Sequence, residues 1–205
     1  MREVGGILKY KILKSTNDEA RRLISELDNL SVIAARCQTA GRGQGDHKGH
    51  SRPGENLTFS AVLKFGENGL APLAARDALI ITETVTLALR LYLEGHGVKV
   101  RIKWPNDIYV GDRKICGILI ENILHGQDVV SSIIGIGLNL NQKDFPSDLP
   151  NPVSLTRLTG KPYDVEDELR HFHSILKECA ENTNTAEGRR YLDDSFKEYV
   201  FNLPS

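Results

Sequence analysis

The chain has 205 residues, 40% of them hydrophobic and 26% charged, with 26 Lys and Arg against 27 Asp and Glu for a net charge of -1. That length suits one domain of ordinary size, able to bury its core without disulfide or metal staples. The even charge excludes a protein whose main work is gripping nucleic acid or an anionic membrane, and no apolar run reaches the roughly 18 to 20 residues of a membrane span.

The N-terminal stretch MREVGGILKYKILKS lacks the apolar centre of a signal peptide. Residues 7–13 (ILKYKIL) read as a strand that stops at Ser15-Thr16-Asn17-Asp18-Glu19. Thr16 and Glu19 have capping-box spacing, so a helix is expected over 17–27 with Ala20, Leu23, Ile24 and Leu27 on one stripe. Residues 31–37 form a second expected strand. Residues 39–56 hold five glycines and no large apolar side chain, so neither helix nor strand is expected. LTFSAVLKF (57–65) alternates and reads as a strand buried mainly on one face. Residues 72–93 have helical spacing, with Pro72 in the first turn and Gly95 and Gly97 ending the helix. VKVRIKW (98–104) alternates strictly and stops at Pro105. DIYV, 114–124 and 129–141, separated by Gly-Asp and Gly-Gln-Asp turns, read as consecutive antiparallel strands. Residues 143–164 read as loop, followed by amphipathic helices over 165–182 and 186–200. This order gives an α+β fold, a mixed and largely antiparallel sheet backed by helices, in a single domain over 1–205.

Four segments carry polar groups that folding alone does not require. Arg42 lies among glycines whose backbone N–H groups could approach an anion, phosphate being the usual one. In Lys103-Trp104-Pro105-Asn106-Asp107 a cation, an amide and a carboxylate meet at a turn, and Asp107 has the hard oxygen that magnesium takes. Lys114 follows across a hairpin, so that Asp107 and Lys114 fall on adjacent strands. Gly135 and Gly137, inside a strand, mark a close approach of backbone or ligand. Each segment alone also has a plainer reading, as surface loop, solvated turn or packing bulge. His47 and His50 have no partner cluster for a transition metal, and Cys116, in an apolar strand, reads as packing. With Cys37 and Cys179 it forms neither a disulfide framework nor a zinc cluster, the usage of a cytoplasmic protein. No Ser/His/Asp or Cys/His arrangement stands out. Together the segments describe a site for an anionic group such as a nucleotide, without naming the substrate.

In chain order, Ser15-Thr16-Asn17, Gln38-Thr39-Ala40-Gly41-Arg42-Gly43, Lys103-Trp104-Pro105-Asn106-Asp107, Arg113-Lys114 with Gly117-Ile118-Leu119-Ile120-Glu121, and Gly135-Ile136-Gly137-Leu138-Asn139 resemble the biotin protein ligases. The resemblance covers residues 7 to 200, the catalytic domain of that family, whose fold is class II synthetase-like. It implies a two-step, ATP-dependent enzyme. Biotin is activated to biotinyl-5′-AMP, then passed to a lysine of a biotin carboxyl carrier protein of the acetyl-CoA carboxylase type. It also implies magnesium as cofactor, no nucleic-acid or membrane partner, and a monomer or homodimer. By family position, Ser15, Thr16, Asn17, Gln38, Gly41, Arg42, Gly43, Gln44, Lys114 and Gly117 would hold biotin. Arg42, Lys103, Trp104, Asn106 and Asn139 would hold ATP and Asp107 the magnesium, with Lys114, Arg42 and Asp107 catalytic. The chain departs from the family pattern at Gln44, where a further Arg is usual, and at Asp46 and Gly49, where the loop usually reaches Gly then Trp. An N-terminal helix-turn-helix and a C-terminal SH3-like domain are not expected from its ends. A non-catalytic biotin or biotinyl-adenylate binder and a lipoate or octanoate transferase are the competing readings.

Overall fold

In the computed structural model, which describes residues 2–4, 6–41, 51–67, 69–147 and 149–202, the chain begins with strands β1 (Arg2–Val4) and β2 (Ile7–Leu13) and helix α1 (Thr16–Arg22). Strands β3 (Val32–Gln38), β4 (Leu57–Lys64) and β5 (Leu73–Ala74) lead to helix α2 (Leu79–Gly95). Strands β6 (Arg101–Lys103), β7 (Asp107–Val110), β8 (Arg113–His125) and β9 (Asp128–Leu138) follow. Helices α3 (Leu155–Thr159), α4 (Val165–Glu181) and α5 (Ala186–Tyr199) and strand β10 (Val200–Phe201) complete the chain. Two units are woven from alternating stretches: Met1–Ala78 with Ile118–Leu138, and Leu79–Gly117 with Asn139–Ser205.

In the first unit β2 and β3 are parallel, joined through α1, while β1 with β2, β3 with β4 and β4 with β9 are antiparallel. The β4–β9 ladder runs from Leu57 opposite Leu138 to Lys64 opposite Ser131. Its apolar centre is a cluster of Ala20, Leu23, Leu27, Ile33, Val62 and Ile133, all buried. Full burial of such an aliphatic side chain stabilises by roughly 1.5–3 kcal/mol.

In the second unit β7 pairs antiparallel with β6 and β8, and β10 joins β6 in parallel. Helix α2 packs on α4 and α5, burying Tyr92, Phe172, Leu176, Leu192 and Phe196. The buried Thr84 and Thr86 are satisfied within their own helix, each hydroxyl donating 2.7 Å to the carbonyl four residues back.

Several expectations need correction. Helix α1 starts one residue earlier and stops at Arg22, because Ser15 is the cap: its Oγ accepts the Asp18 N–H at 3.3 Å. Leu23 and Leu27 are buried all the same, from turns rather than a helix face. Strand β4 is buried on both faces, since Val62 enters the α1 cluster and Ser60 is fully covered. Residues 72–78 are not α-helical, and only Ala75–Asp77 form a single 3-10 turn. Leu73 and Ala74 pair with Val129 and Asp128, and Ala75 N–H donates to the Gln127 carbonyl, so the sheet takes the backbone bonds a helix would have used. Strand β6 is only three residues long, although Val98 and Val100 before it are buried. Strand β9 ends at Leu138, where the Asn139 N–H turns to the Ile115 carbonyl. Helix α3, capped by Ser154, interrupts the expected loop over 143–164.

Candidate functional site

In the first unit the start of α1 gathers a buried polar cluster. Ser15, Thr16 and Asn17 are all under 5% exposed. The Thr16 backbone N–H donates to Gln38 Oε1 at 2.6 Å, linking the helix start to the end of β3. Asn17 donates from Nδ2 to Glu121 Oε2 at 2.7 Å. A carboxylate only accepts, so this bond sets the amide orientation and turns Asn17 Oδ1 towards Ser60. Ser60 Oγ lies 2.5 Å from that oxygen and 2.7 Å from Thr16 Oγ1. Its one proton goes to Asn17, and it accepts from Thr16. Arg21 stands 3.4 Å from the other Glu121 oxygen. The order is therefore Arg21, Glu121, Asn17, Ser60, Thr16, a connected network in which each member limits its neighbour's orientation.

Gly135 belongs to this cluster by what it lacks. A Cβ there would come within 2.4 Å of Asn17 Oδ1, so the strand admits the amide only because residue 135 has no side chain. Gly137, two residues on and hence on the same face, has nothing within 4 Å of its Cβ position and is exposed. The close approach expected from the paired glycines is thus a protein side chain at Gly135 and open backbone at Gly137.

In the second unit Asp107 and Lys114 come together as their hairpin spacing indicates. Asp107 is opposite Gly117 and Lys114 opposite Tyr109, the ladder shifting register at Ile108/Tyr109. Lys114 Nζ lies 2.7 Å from Asp107 Oδ1. Gly117 makes room for this pair: a Cβ there would stand 3.3 Å from Lys114 Nζ. Both side chains keep part of their surface, 38% for Lys114 and 26% for Asp107. A pair so placed contributes about 0–1 kcal/mol, little enough for an incoming anion to displace the carboxylate.

The other expected nucleotide residues are spread out. Lys103 Nζ lies 5.5 Å from the centre of the Tyr109 ring, within cation–π range. Trp104 packs edge-on to Phe196 of α5, and Asn106 is buried. Asn139 Nδ2 donates to the Val153 carbonyl at 3.1 Å. Residues 151–153 in turn hold the Lys114 backbone, whose N–H donates to Asn151 and whose carbonyl accepts from Val153. Asn139 therefore supports the strap that fixes Lys114. Gly41 ends the described stretch. Arg42, Gly43, Gln44, Asp46, His47, Gly49 and His50 lie outside the described residues.

Sequence reasoning missed Ser60, Glu121 and the 151–153 strap as parts of these groups. Ser60 and Glu121 did leave a signal, a hydroxyl between Phe59 and Ala61 and a carboxylate closing the apolar run Ile118-Leu119-Ile120. The strap left none, because its contribution is main-chain.

The pattern of the Biotin/lipoate A/B protein ligase family matches residues 10–139, and the chain belongs to that family. The bifunctional ligase/repressor BirA of Bacillus subtilis is 32% identical over 169 residues, 80% of this chain and 50% of the relative. A biotin–[acetyl-CoA-carboxylase] ligase of Paracoccus denitrificans is 34% identical over 161 residues, 76% of this chain and 65% of the relative. The chain thus spans about half to two thirds of the length of these relatives. Among solved structures, the biotin protein ligase of Aquifex aeolicus in complex with biotin and ATP superposes with a TM-score of 0.79 at 23% identity, over 98% of this chain and 80% of that one. The Leishmania major biotin protein ligase in complex with biotin gives 0.77 at 22% identity, over 98% and 86%. The fold is the α+β fold of biotin protein ligase catalytic domains, a mixed sheet backed by helices.

Proposed function

We propose that this chain activates biotin with ATP to biotinyl-5′-AMP and transfers the biotinyl group to a lysine of a biotin carboxyl carrier protein of the acetyl-CoA carboxylase type. The observation that carries this reading is the buried polar cluster at the start of α1. Biotin ends in a neutral urea that both donates and accepts. Thr16, Asn17 and Gln38 belong to a network already poised for such groups. A lipoyl or octanoyl tail has no urea, and a site built to hydrogen-bond one substrate rejects an analogue that leaves its buried groups unpaired.

In the first step a biotin carboxylate oxygen attacks the α-phosphorus of ATP, a P–O bond forms, and the bond to the bridging oxygen breaks to release pyrophosphate. Two anions must meet. Lys114 supplies a held cation for them, exchanging Asp107 for the substrate's charge, and Arg42 and Gly43 join it by family position. In the second step the acceptor lysine amine attacks the acyl carbon, AMP departs with the bonding pair, and the nitrogen loses a proton. Asp107 offers one hard oxygen donor beside Lys114 and would hold a magnesium ion. That ion would add positive charge at the phosphates. Lys103, Trp104, Asn106 and Asn139 are assigned to the nucleotide side, and Ser15, Gly41, Gln44 and Gly117 to biotin. The protein acts in the cytoplasm as a monomer or homodimer, and its three free thiols fit a reducing compartment.

Incubating the protein with ATP and magnesium and measuring pyrophosphate tests this. Release that depends on biotin, and is not produced by octanoate or lipoate, is the expected result. Release driven by octanoate or lipoate instead would overturn biotin as the substrate, since it would show one of those acids being activated with ATP. Biotin binding without any release would make it a non-catalytic binder.

A further inference from the structure

At the C-terminal end of α2, within the second unit, three side chains converge that the proposed ligation does not use. His96 Nε2 lies 3.0 Å from Glu168 Oε2, and His171 Nδ1 lies 3.9 Å from the same oxygen. One ligand atom from each of the three falls within 4.8 Å of the others. Among the described residues no other group of three His, Cys, Asp or Glu meets that condition. We infer that His96, Glu168 and His171 form a binding site for a divalent transition-metal ion of the zinc class.

The donor set, two imidazole nitrogens and one carboxylate, is the set that such ions take at about 2.0–2.2 Å. Ligand atoms around a tetrahedral ion at those lengths stand roughly 3.3 Å apart, so His96 and Glu168 are nearly in place. His171 must close the remaining gap. It lies on the surface of α4, its side chain 52% exposed, one turn beyond Glu168, so a rotamer change brings its ring in without moving backbone.

The surroundings orient the ligands as the outer shell of a metal site does. The Tyr92 hydroxyl donates to Glu168 Oε2 at 2.6 Å. The His96 ring meets the edges of Tyr92 at 4.8 Å and Tyr163 at 5.1 Å between centroids, which fixes its plane. His96 directly follows the last residue of a 17-residue helix, the negative end of the helix dipole, where a cation is favoured. An ion there would staple the end of α2 to α4.

The test uses the full chain stripped with a chelator. Titration with Zn(II), followed by calorimetry, should show tight binding that His171→Ala weakens by about 100-fold or more, beyond what loss of an outer-shell group causes. Since His171 is exposed, this variant should fold like the parent by circular dichroism. Co(II) should give the intense visible bands of a tetrahedral site in the parent and lose them in His171→Ala. Tyr92→Phe should weaken Zn(II) roughly 10-fold while keeping the Co(II) bands. Zn(II) binding of unchanged affinity in His171→Ala, or no binding to the parent, would overturn the proposal, leaving His96 and Glu168 as a hydrogen-bonded pair at a helix end.

Discussion

Lys114 and Lys103 are two cations in one short hairpin region, yet the structure sets them in different company. Lys114 is held by a carboxylate that an anion can replace, while Lys103 lies over the Tyr109 ring. Lys114→Ala should therefore slow biotin-dependent pyrophosphate release by on the order of 100- to 1000-fold, the usual cost of removing one such electrostatic group. Lys103→Ala should cost far less, and equal, mild effects of the two substitutions would refute the assignment. Gly135→Ala tests the other group. The new methyl must push Asn17 from its place between Ser60 and Glu121, an overpacking that typically costs 1–3 kcal/mol. Both the melting temperature and biotin affinity should fall. Gly137→Ala, where the Cβ position is open, should leave stability nearly unchanged. A biotin affinity unmoved by Gly135→Ala would detach Asn17 from the biotin site.

Among the helices, α2 carries a carboxyl where an apolar side chain would be expected. Glu83 is only 6% exposed, and burial, aided by the charge of Asp193 and opposed by Lys197, raises its pKa from 4.5 to about 7. Because the folded pKa is the higher one, the folded state binds more protons between those values. Stability should thus fall as pH rises from about 4.5 to about 7, and level off above. Glu83→Gln should raise stability at pH 8 by up to about 3 kcal/mol and change it little at pH 4, which denaturant melts at the two pH values will show. Helix α4 is capped by Asp164, whose Oδ1 accepts the N–H groups of Glu166 and Asp167, both at 2.9 Å. Asp164→Ala should cost about 1 kcal/mol in the same melts, a penalty that Asp164→Asn or Asp164→Ser largely avoids.

At the scale of the molecule, the chain passes from one unit to the other after Ala78, after Gly117 and after Leu138. The second unit therefore depends on segments far apart in sequence. A chain ending at Leu138 keeps the sequence of the first unit but removes α4 and α5, against which α2 buries Leu89, Tyr92 and Leu93. That truncation should lose the cooperative helical unfolding transition and expose apolar surface to a hydrophobic dye, since α2 without partners cannot hold a helix on propensity alone. A truncated chain with a full α2 signal and no dye binding would contradict this dependence.

Local chemistry made much of this protein legible without a structure. The strand β2, the glycine turns at Gly111 and Gly126, both with positive φ, and the amphipathic stripes of α4 and α5 are set by residues close together in the chain. So is the meeting of Asp107 with Lys114, because a hairpin gives each side chain one facing strand. The errors arose where distant strands decided the outcome. Leu73 and Ala74 became strand because β9 offered them backbone partners, and β4 was covered on both faces because α1 packs over Val62. Ser60 and Glu121 joined Asn17 across 43 and 104 residues of chain, and His96 met Glu168 across 72. The sequence by itself determined most of the elements, the hairpins and the polar residue types, since these follow from period, turn chemistry and caps. Only the tertiary structure decided which polar groups share one buried network, because hydrogen bonds between remote strands leave no spacing in the chain.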